Sequence, residues 1–194
     1  FKSVYAYTNT PKIYSGEESF SIGNYVLPCS TEESVKIKSN ETLFIFPFNH
    51  REVNAGEAFN ETSKRLRELG SRTLLFLNNI AKIQWEIECE ISGTYIREVT
   101  NKEEHLKSVC VLSEAKSQNQ EYQEYKEDWL IFERLIKKDN KTLKVEIAFK
   151  IDRNTKGREK EAKEIIVPVS DSCLVVFFPT EKETHLKFLI QGPY

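Results

Sequence analysis

The sequence predicts an α+β fold in which helices cover a largely antiparallel β-sheet. Two stretches, 82–91 and 142–152, alternate apolar and polar residues with the period of two that is typical of a strand. A third stretch, 56–78, instead spaces its apolar residues at helical intervals. Because a sheet with one apolar face buries it against another layer, we expect the helices of 56–78 to cover the sheet.

The composition is that of an ordinary globular protein. Hydrophobic residues make up 39% and charged residues 30% of 194 residues, enough for one large domain or two small ones. The net charge of −2 gives no electrostatic reason to propose nucleic acid as a partner. No apolar run is long enough to cross a bilayer, and the N-terminus does not resemble a signal peptide. We therefore predict a cytoplasmic protein without a membrane partner.

The N-terminal part predicts one helical turn followed by short strands. Phe1, Val4 and Tyr5 share one face of a helix, and Pro11 ends it. The stretch 42–48, TLFIFPF, is apolar on both faces, so we expect a strand that is buried on both sides. Because the chain opens in mid-helix without a Met, we expect it to be a piece of a larger protein. Two further short strands are predicted at 12–14 and 19–22.

The helical stretch contains an amphipathic helix over 56–69 and a short second helix over 73–78. The first helix places Phe59, Leu66 and Leu69 in one stripe. We expect Trp85, on the apolar side of its strand, to be buried between the sheet and this stripe. Its replacement by Ala is then expected to cost about 3–5 kcal/mol. Strands are predicted at 94–99, 108–113, 129–135, 142–152, 164–169, 172–178 and 187–191.

Two of these assignments carry an alternative. The stretch 129–135 predicts a strand, although its spacing also allows a helix. The stretch 114–128 is a long polar segment in which Tyr122 and Tyr125 are the only large side chains. The basic residues of 154–163 are interspersed with Glu, which favours a solvated hairpin tip over a binding surface.

The sequence offers no catalytic or metal site. Cys29, Cys89, Cys110 and Cys173 are too far apart for metal-ligand spacing. Cys89 and Cys110 are expected to be buried free thiols, with a disulfide as the alternative. The three histidines are scattered, and no nucleophile motif accompanies them.

Two segments carry a resemblance to a known family. The opening FKSVYAYTNTPKIYSG resembles the segment after the Gly-x-Gly-Phe of the ATP lid in GHKL-type ATPases, in modules of the sacsin type. The segment 177–194, FFPTEKETHLKFLIQGPY, resembles a second sacsin-family segment. Those modules are similar to the ninety-kilodalton heat-shock chaperones. The resemblance implies that 1–50 is the C-terminal part of a GHKL-type α/β sandwich and that 51–194 is a β-rich middle-like domain.

The resemblance also implies nucleotide contacts. Phe1 and Ser3, at a helix start, correspond to residues near a phosphate, and Thr42 corresponds to a threonine near the adenine. ATP and Mg²⁺ are therefore implied as cofactors of the full-length parent. The acidic base with its Asn, the Asp-x-Gly and the glycine-rich lid are all absent from this chain. We accordingly expect the fragment itself neither to bind nor to hydrolyse ATP.

Three functions remain open at this point. The chain is part of an ATP-driven conformational or chaperone-like machine that acts on a protein client, as the resemblance implies. Alternatively, it is a protein-interaction scaffold that binds through a sheet edge or tip and has no nucleotide role. The third hypothesis is a regulatory part of a bacterial defence system. The oligomeric state is left open.

Overall fold

The computed structural model describes residues 2–31, 35–88, 91–116, 121–138, 141–154, 163–176 and 178–192. The chain forms two compact units, Phe1–Glu68 and Leu69–Tyr194. The predictions made for Phe1, for Cys89 and for most of the basic stretch, 155–162, lie outside the described residues.

The first unit contains a small antiparallel sheet. Its strands run in the order β3-β2-β1-β4. A 3₁₀-helix, at the place where the sequence predicted a helical turn, precedes the sheet, and one α-helix follows it in the described part of this unit. The elements are the 3₁₀-helix Lys2–Ala6, β1 Lys12–Ser15, β2 Glu18–Gly23, β3 Leu27–Ser30, β4 Thr42–Ile45 and α1 Ala55–Glu68.

The strand expected to be buried on both sides is shorter and more exposed than predicted. Strand β4 lies at the edge of its sheet and ends at Ile45. Leu43 and Ile45 are half-buried, whereas Phe44 and Phe46 are exposed and stack on each other with ring centroids 6.2 Å apart. The prediction of two buried faces is therefore wrong, because an apolar sequence on both faces does not supply a second layer to cover them.

The second unit is a large sheet with a short 3₁₀-helix, Ser71–Leu74, before it. The sheet has nine strands in the order β12-β11-β13-β9-β8-β7-β6-β5, and β10 also pairs with β9. All its strand pairs are antiparallel except β11 with β13. The strands are β5 Lys82–Ile87, β6 Ile91–Glu103, β7 Leu106–Lys116, β8 Tyr122–Lys138, β9 Lys141–Asn154, β10 Lys163–Val167, β11 Cys173–Val176, β12 Phe178–Glu183 and β13 Leu189–Gln191.

The predicted fold class is wrong. The structure is 55% strand and 13% helix, and the sheet curls into a half-barrel rather than forming an α+β sandwich covered by helices. The helix expected at 73–78 is a 3₁₀-turn followed by irregular chain, and α1 belongs to the first unit. The GHKL-type sandwich followed by a helix-covered sheet is thus not the architecture of this chain. The consecutive apolar residues of 74–77 lack helical spacing and cover the sheet as an irregular segment.

The core of the second unit lies on one face of this sheet, which we call the covered face. Trp129 at its centre has no solvent exposure. Residues from both ends of the unit pack with Trp129 in one cluster, and together they exclude water from this face of the sheet. The core cluster comprises Leu75, Phe76, Val109, Val111, Trp129, Ile131, Ala148, Val169, Val175 and Leu189.

Trp85 is not the core tryptophan, contrary to our prediction. It lies on β5, an edge strand, and is only half-buried. Its indole packs over Gly93 on the neighbouring strand, where an added Cβ would lie 2.5 Å from the ring. Trp85 and Trp129 follow the same alternation, so their difference in burial comes from strand position: β8 is central and β5 is an edge.

The stretch 129–135 forms a strand, as predicted, rather than a helix. The polar stretch 114–128, to which the sequence analysis assigned no strand, also belongs largely to the sheet. The stretch contributes the end of β7 and the first part of β8. These two parts pair with each other, with Glu114 opposite Glu124. The hairpin is polar there because its far end faces water, so low hydrophobicity did not indicate a loop.

Candidate functional site

Three residues are predicted to contact nucleotide, and two of them, Ser3 and Thr42, lie in the described part of the chain. Phe1 lies outside it. Ser3 is exposed in the first 3₁₀-helix, and Thr42 is exposed at the start of β4, where its hydroxyl lies 2.7 Å from that of Ser15. Among the described residues, no hydrogen bond joins Ser3 to Thr42. The nucleotide role of these three residues therefore stays a prediction.

The second unit presents two faces of different character, and the covered face contains buried charges. Glu146 is fully buried, with Lys107 Nζ 2.5 Å and Lys144 Nζ 3.1 Å from its Oε1. The same two lysines lie 3.6 Å and 3.9 Å from Glu133. A buried charge that loses its partner is strongly destabilising, so the fold depends on the pairing of Glu146 with lysines from β7 and β9.

A second buried carboxylate ties the covering segment to the sheet. Lys150 Nζ donates to Glu127 Oε1 at 2.7 Å, and Ser71 Oγ donates to Oε2 at 2.9 Å. Burial lowers the pKa of Lys150, but hydrogen bonds to Glu127 and Tyr125 outweigh it, so that this pKa is raised. Arg72 lies over the Trp129 ring, 5.6 Å from its centroid. These groups are engaged with one another, and we assign them a structural role.

The opposite face, which we call the open face, carries an apolar row across five strands. Residues that pair across strands lie on the same side of a sheet. The strand registers place one apolar residue from each of β7, β8, β9, β13 and β11 side by side. None of the five is fully buried. They are Leu106, Phe132, Ile147, Ile190 and Leu174.

Aromatic rings extend this row. The Phe132 and Phe149 rings meet edge to face with centroids 5.9 Å apart, and those of Phe149 and Phe188 lie 5.0 Å apart. Phe132 remains 45% exposed, and Ile136, further along β8 on the same face, remains 44% exposed. Exposed apolar side chains that adjoin one another on one face, rather than lying scattered over the surface, are typical of interaction sites.

The other end of the open face is closed by long charged side chains. Lys102 Nζ on β6 lies 2.8 Å from Glu164 Oε2 on β10, although β7, β8 and β9 lie between these strands. In a flat sheet the two strands would be about 19 Å apart. The sheet therefore curls towards this face. Arg153 also reaches across β8 to Ser108 Oγ, at 3.1 Å, and Ile151 is buried at this end.

Two cations flank the exposed apolar residues. Arg134 and Lys141 project from the open face of β8 and β9 and are exposed. Neither forms an ion pair with any residue in the described part of the chain. The exposed half of the open face is therefore apolar at its centre and positively charged at the hairpin end.

The geometry does not favour catalysis on this face. Burial and the charge of Asp128 raise the pKa of the Cys110 thiol, which keeps it protonated and weakly nucleophilic. Cys29, Cys110 and Cys173 are free thiols, so the predicted disulfide alternative does not involve them. Within the described ranges, no three His, Cys, Asp or Glu side chains gather where they could hold a metal ion.

Sequence reasoning found the strands of the open face but not its exposure. The alternation of 142–152 placed Leu143, Val145, Ile147, Phe149 and Ile151 on one side of a strand, which they share in the structure. We expected that side to be the covered one. The sequence did contain a signal for this exposure. The other side of the same strand is largely polar, and the Arg and Lys residues of 134–144 indicate that this end of the hairpin reaches into water.

No protein-family model, curated protein or solved structure matches this chain. The resemblance to sacsin-type and heat-shock ATPases, and with it the ATP and Mg²⁺ of a parent protein, therefore stays a prediction. In the described part of the chain, no helix combines the length and apolar character needed to cross a membrane.

Proposed function

We propose that the second unit is a protein-interaction module that binds an acidic, amphipathic helix of a partner protein on its open face. The observation that carries this proposal is the apolar row across five strands, exposed at Phe132 and Ile136 and flanked by Arg134 and Lys141. The sequence analysis included the hypothesis of a protein-interaction scaffold that binds through a sheet edge or tip. The present proposal keeps the interaction role but assigns binding to a face of the sheet.

A helix suits this surface because an apolar sheet face is buried most stably by a second layer of secondary structure. The covered face has such a layer in the segment 71–77, whereas Phe132 and Ile136 on the open face are exposed. The curled sheet presents a concave surface, which an amphipathic helix contacts through residues at i, i+3, i+4 and i+7.

The charge of the partner follows from the cations. Carboxylates on the helix would pair with Arg134 and Lys141, which have no carboxylate partner in the described part of the chain. Such pairs add specificity and association rate more than affinity. The apolar centre then supplies most of the binding free energy, as the central residues of interfaces do.

The ATP-driven machine remains a proposal about a larger parent protein, and no contact among the described residues favours it for this chain. The cytoplasmic location is likewise still a prediction. An interaction module with a protein partner is compatible with both, because coupling domains of such machines also bind proteins.

Fluorescence anisotropy with a labelled peptide tests the proposal. The probe is an amphipathic helix of about 18 residues, or five turns, made of Leu, Ala and Glu. We expect it to bind the 194-residue chain, and a peptide with Lys in place of every Glu to bind at least about tenfold more weakly. The variant Phe132→Ser is expected to weaken binding about tenfold or more.

The chain provides a matched control on the same strand. Leu135 is 54% exposed but projects from the opposite side of β8. Leu135→Ser is therefore expected to leave peptide binding unchanged. Equal losses for the two variants, or equal binding of the Glu and Lys peptides, would remove the proposal. Self-association in sedimentation or binding to anionic vesicles, if abolished by Phe132→Ser while the peptide fails to bind, would replace the partner helix with a second copy or a lipid surface.

A further inference from the structure

The first unit contains a separate hollow that none of the functions above uses. It has a volume of about 290 Å³ and lies between the β2–β3 turn, the segment after the first 3₁₀-helix and the chain from His50 to Glu52. Aromatic rings of Tyr5 and Tyr25 line it, together with several polar side chains. Its size suits a ligand of about one amino acid rather than a dinucleotide, since pockets for drug-sized ligands begin near this volume.

The side chain of Asn49, which precedes the lining residue His50, ties two parts of the chain together beside the hollow. Its Oδ1 accepts from Thr8 Oγ1 at 3.1 Å and from Asn9 N at 2.9 Å. Its Nδ2 donates to Thr10 Oγ1 at 2.8 Å. Three hydrogen bonds of one side chain thus join residues 8–10 to the segment that begins at Asn49, so two of the lining segments are held next to each other.

The aromatic wall is held in a conformation that costs free energy. Asn24 and Tyr25 have φ of 48° and 68°, which a tyrosine adopts rarely. Val26 N donates to Gly23 O at 3.2 Å across this tight turn. Tyr5 Oη donates to Tyr25 O at 3.1 Å, and the two rings meet edge to face at 4.8 Å. The turn nevertheless leaves the Tyr25 ring 62% exposed beside the hollow.

Opposite charges lie next to each other on the remaining wall. His50 Nδ1 accepts from Glu52 N at 3.2 Å, so the neutral ring carries its proton on Nε2. Arg51 and Glu52 are exposed, and neither forms an ion pair with the described residues. Arg51 and Glu52 do not pair with each other, and the exposed ring of Tyr25 lies beside them. This combination fits a ligand that carries both charges and a ring.

We propose that this hollow binds a free aromatic α-amino acid. The α-carboxylate pairs with Arg51, whose planar fork matches it, and accepts a hydrogen bond from His50 Nε2. The α-ammonium pairs with Glu52. The ligand ring packs against the exposed face of Tyr25, with Tyr5 behind it. The inference does not depend on the open face of the second unit.

Nuclear magnetic resonance titration of the 194-residue chain tests this assignment with four probes. L-Phenylalanine has both charges and the ring, 3-phenylpropanoate lacks the ammonium, 2-phenylethylamine lacks the carboxylate, and L-alanine lacks the ring. We expect L-phenylalanine to bind about tenfold more tightly than each of the others, since each loses one charge-assisted or aromatic contact. The amide shifts are expected around residues 5–10, 24–25 and 50–52.

Variants assign each contact. Arg51→Gln is expected to abolish the preference over 2-phenylethylamine, and Glu52→Gln the preference over 3-phenylpropanoate. Tyr25→Gly removes the ring while relieving the positive φ, so it is expected to weaken binding about tenfold with an unchanged or higher melting temperature. Arg67→Gln, at an exposed position on α1, is the matched control and is expected to change nothing.

Equal affinity for all four probes, or shifts that map elsewhere, would overturn the assignment. The same holds if Arg51→Gln and Arg67→Gln behave alike. A Tyr25→Gly variant that stays folded and binds L-phenylalanine as tightly as the unaltered chain would also overturn it, because the strained turn would then have no role in binding.

Discussion

Both faces of the large sheet carry apolar residues, but among the described residues only the covered face is shielded from water by a packed segment. On the covered face, Trp129 and Ile131 are fully buried beneath Leu75 and Phe76. On the open face of the same strand, Phe132 keeps nearly half of its exposure. Both faces of β8 are apolar over this stretch, so the strand itself does not determine which side is shielded from water.

Strand β9 makes the contrast sharper. Its covered side carries the buried Glu146 and the ion-paired Lys150, whereas its open side carries Ile147 and Phe149. The more apolar side is thus the one that the unit leaves half-exposed. This arrangement costs solvation free energy in the isolated unit and is expected where a surface is covered by a partner. The comparison therefore separates residues that hold the fold from residues available for binding.

The largest expected effect is on the covered face. Trp129→Ala is expected to destabilise the protein by about 3–5 kcal/mol, because it removes a large side chain from a closed core. Trp85→Ala, on the edge strand, is expected to cost about 1 kcal/mol, the typical value for a point mutation. Urea unfolding followed by circular dichroism measures both values. Equal costs would contradict the assignment of Trp129 as the core tryptophan.

The buried carboxylate is expected to matter nearly as much. Glu146→Ala leaves the more distant Glu133 as the carboxylate partner of Lys107 and Lys144 among the described residues, and we expect a loss of about 3 kcal/mol. Glu86→Ala, at an exposed position on β5, is the control and is expected to stay within about 0.5 kcal/mol. Chemical denaturation distinguishes the two. A neutral Glu146→Ala would show that the covered face does not depend on its charges.

The ion pair that closes the end of the open face predicts a pH dependence. The hydrogen bond from Lys102, and the nearby Arg153, hold the pKa of Glu164 below its usual range. A carboxyl with a lowered folded pKa stabilises the fold above its unfolded pKa, and this contribution is lost as the pH falls through the folded pKa. Glu164→Gln should therefore lower the melting temperature at neutral pH more than at acidic pH. A pH-independent difference would contradict this role.

The smallest effect on stability is expected from the exposed part of the open face. Phe132→Ser and Ile136→Ser are each expected to change the free energy of unfolding by less than about 1 kcal/mol, because both side chains already contact water. Thermal unfolding measures this. Losses as large as that of Trp129→Ala would place these residues in the fold's core and remove the distinction between the two faces.

Local patterns predicted much of the sheet. The alternation around Ile83 and Ile87 indicated β5, and the apolar series of 142–152 indicated β9 to within two residues at its end. The cover of the sheet could not be predicted in this way. It comes from the segment 71–77, whose consecutive Leu and Phe residues carry no period and whose contacts are distant in sequence.

The candidate sites were less accessible from the sequence than the strands. The resemblance directed attention to Phe1, Ser3 and Thr42, whose nucleotide role stays a prediction. The open face depends on which side of β9 is left uncovered, a property of the whole sheet. The hollow beside Tyr25 depends on a side-chain network around Asn49 and on a left-handed turn without glycine, which no local motif indicated.

Methyl resonances of isoleucine test the central claim most directly, since isoleucines lie on both faces. On addition of the acidic helical peptide, the account predicts shifts of the Ile136, Ile147 and Ile190 methyl signals and an unchanged Ile131 signal. The first three lie on the open face, and Ile131 lies in the covered core. Peptide binding that shifts Ile131 and leaves the other three unchanged would contradict the account.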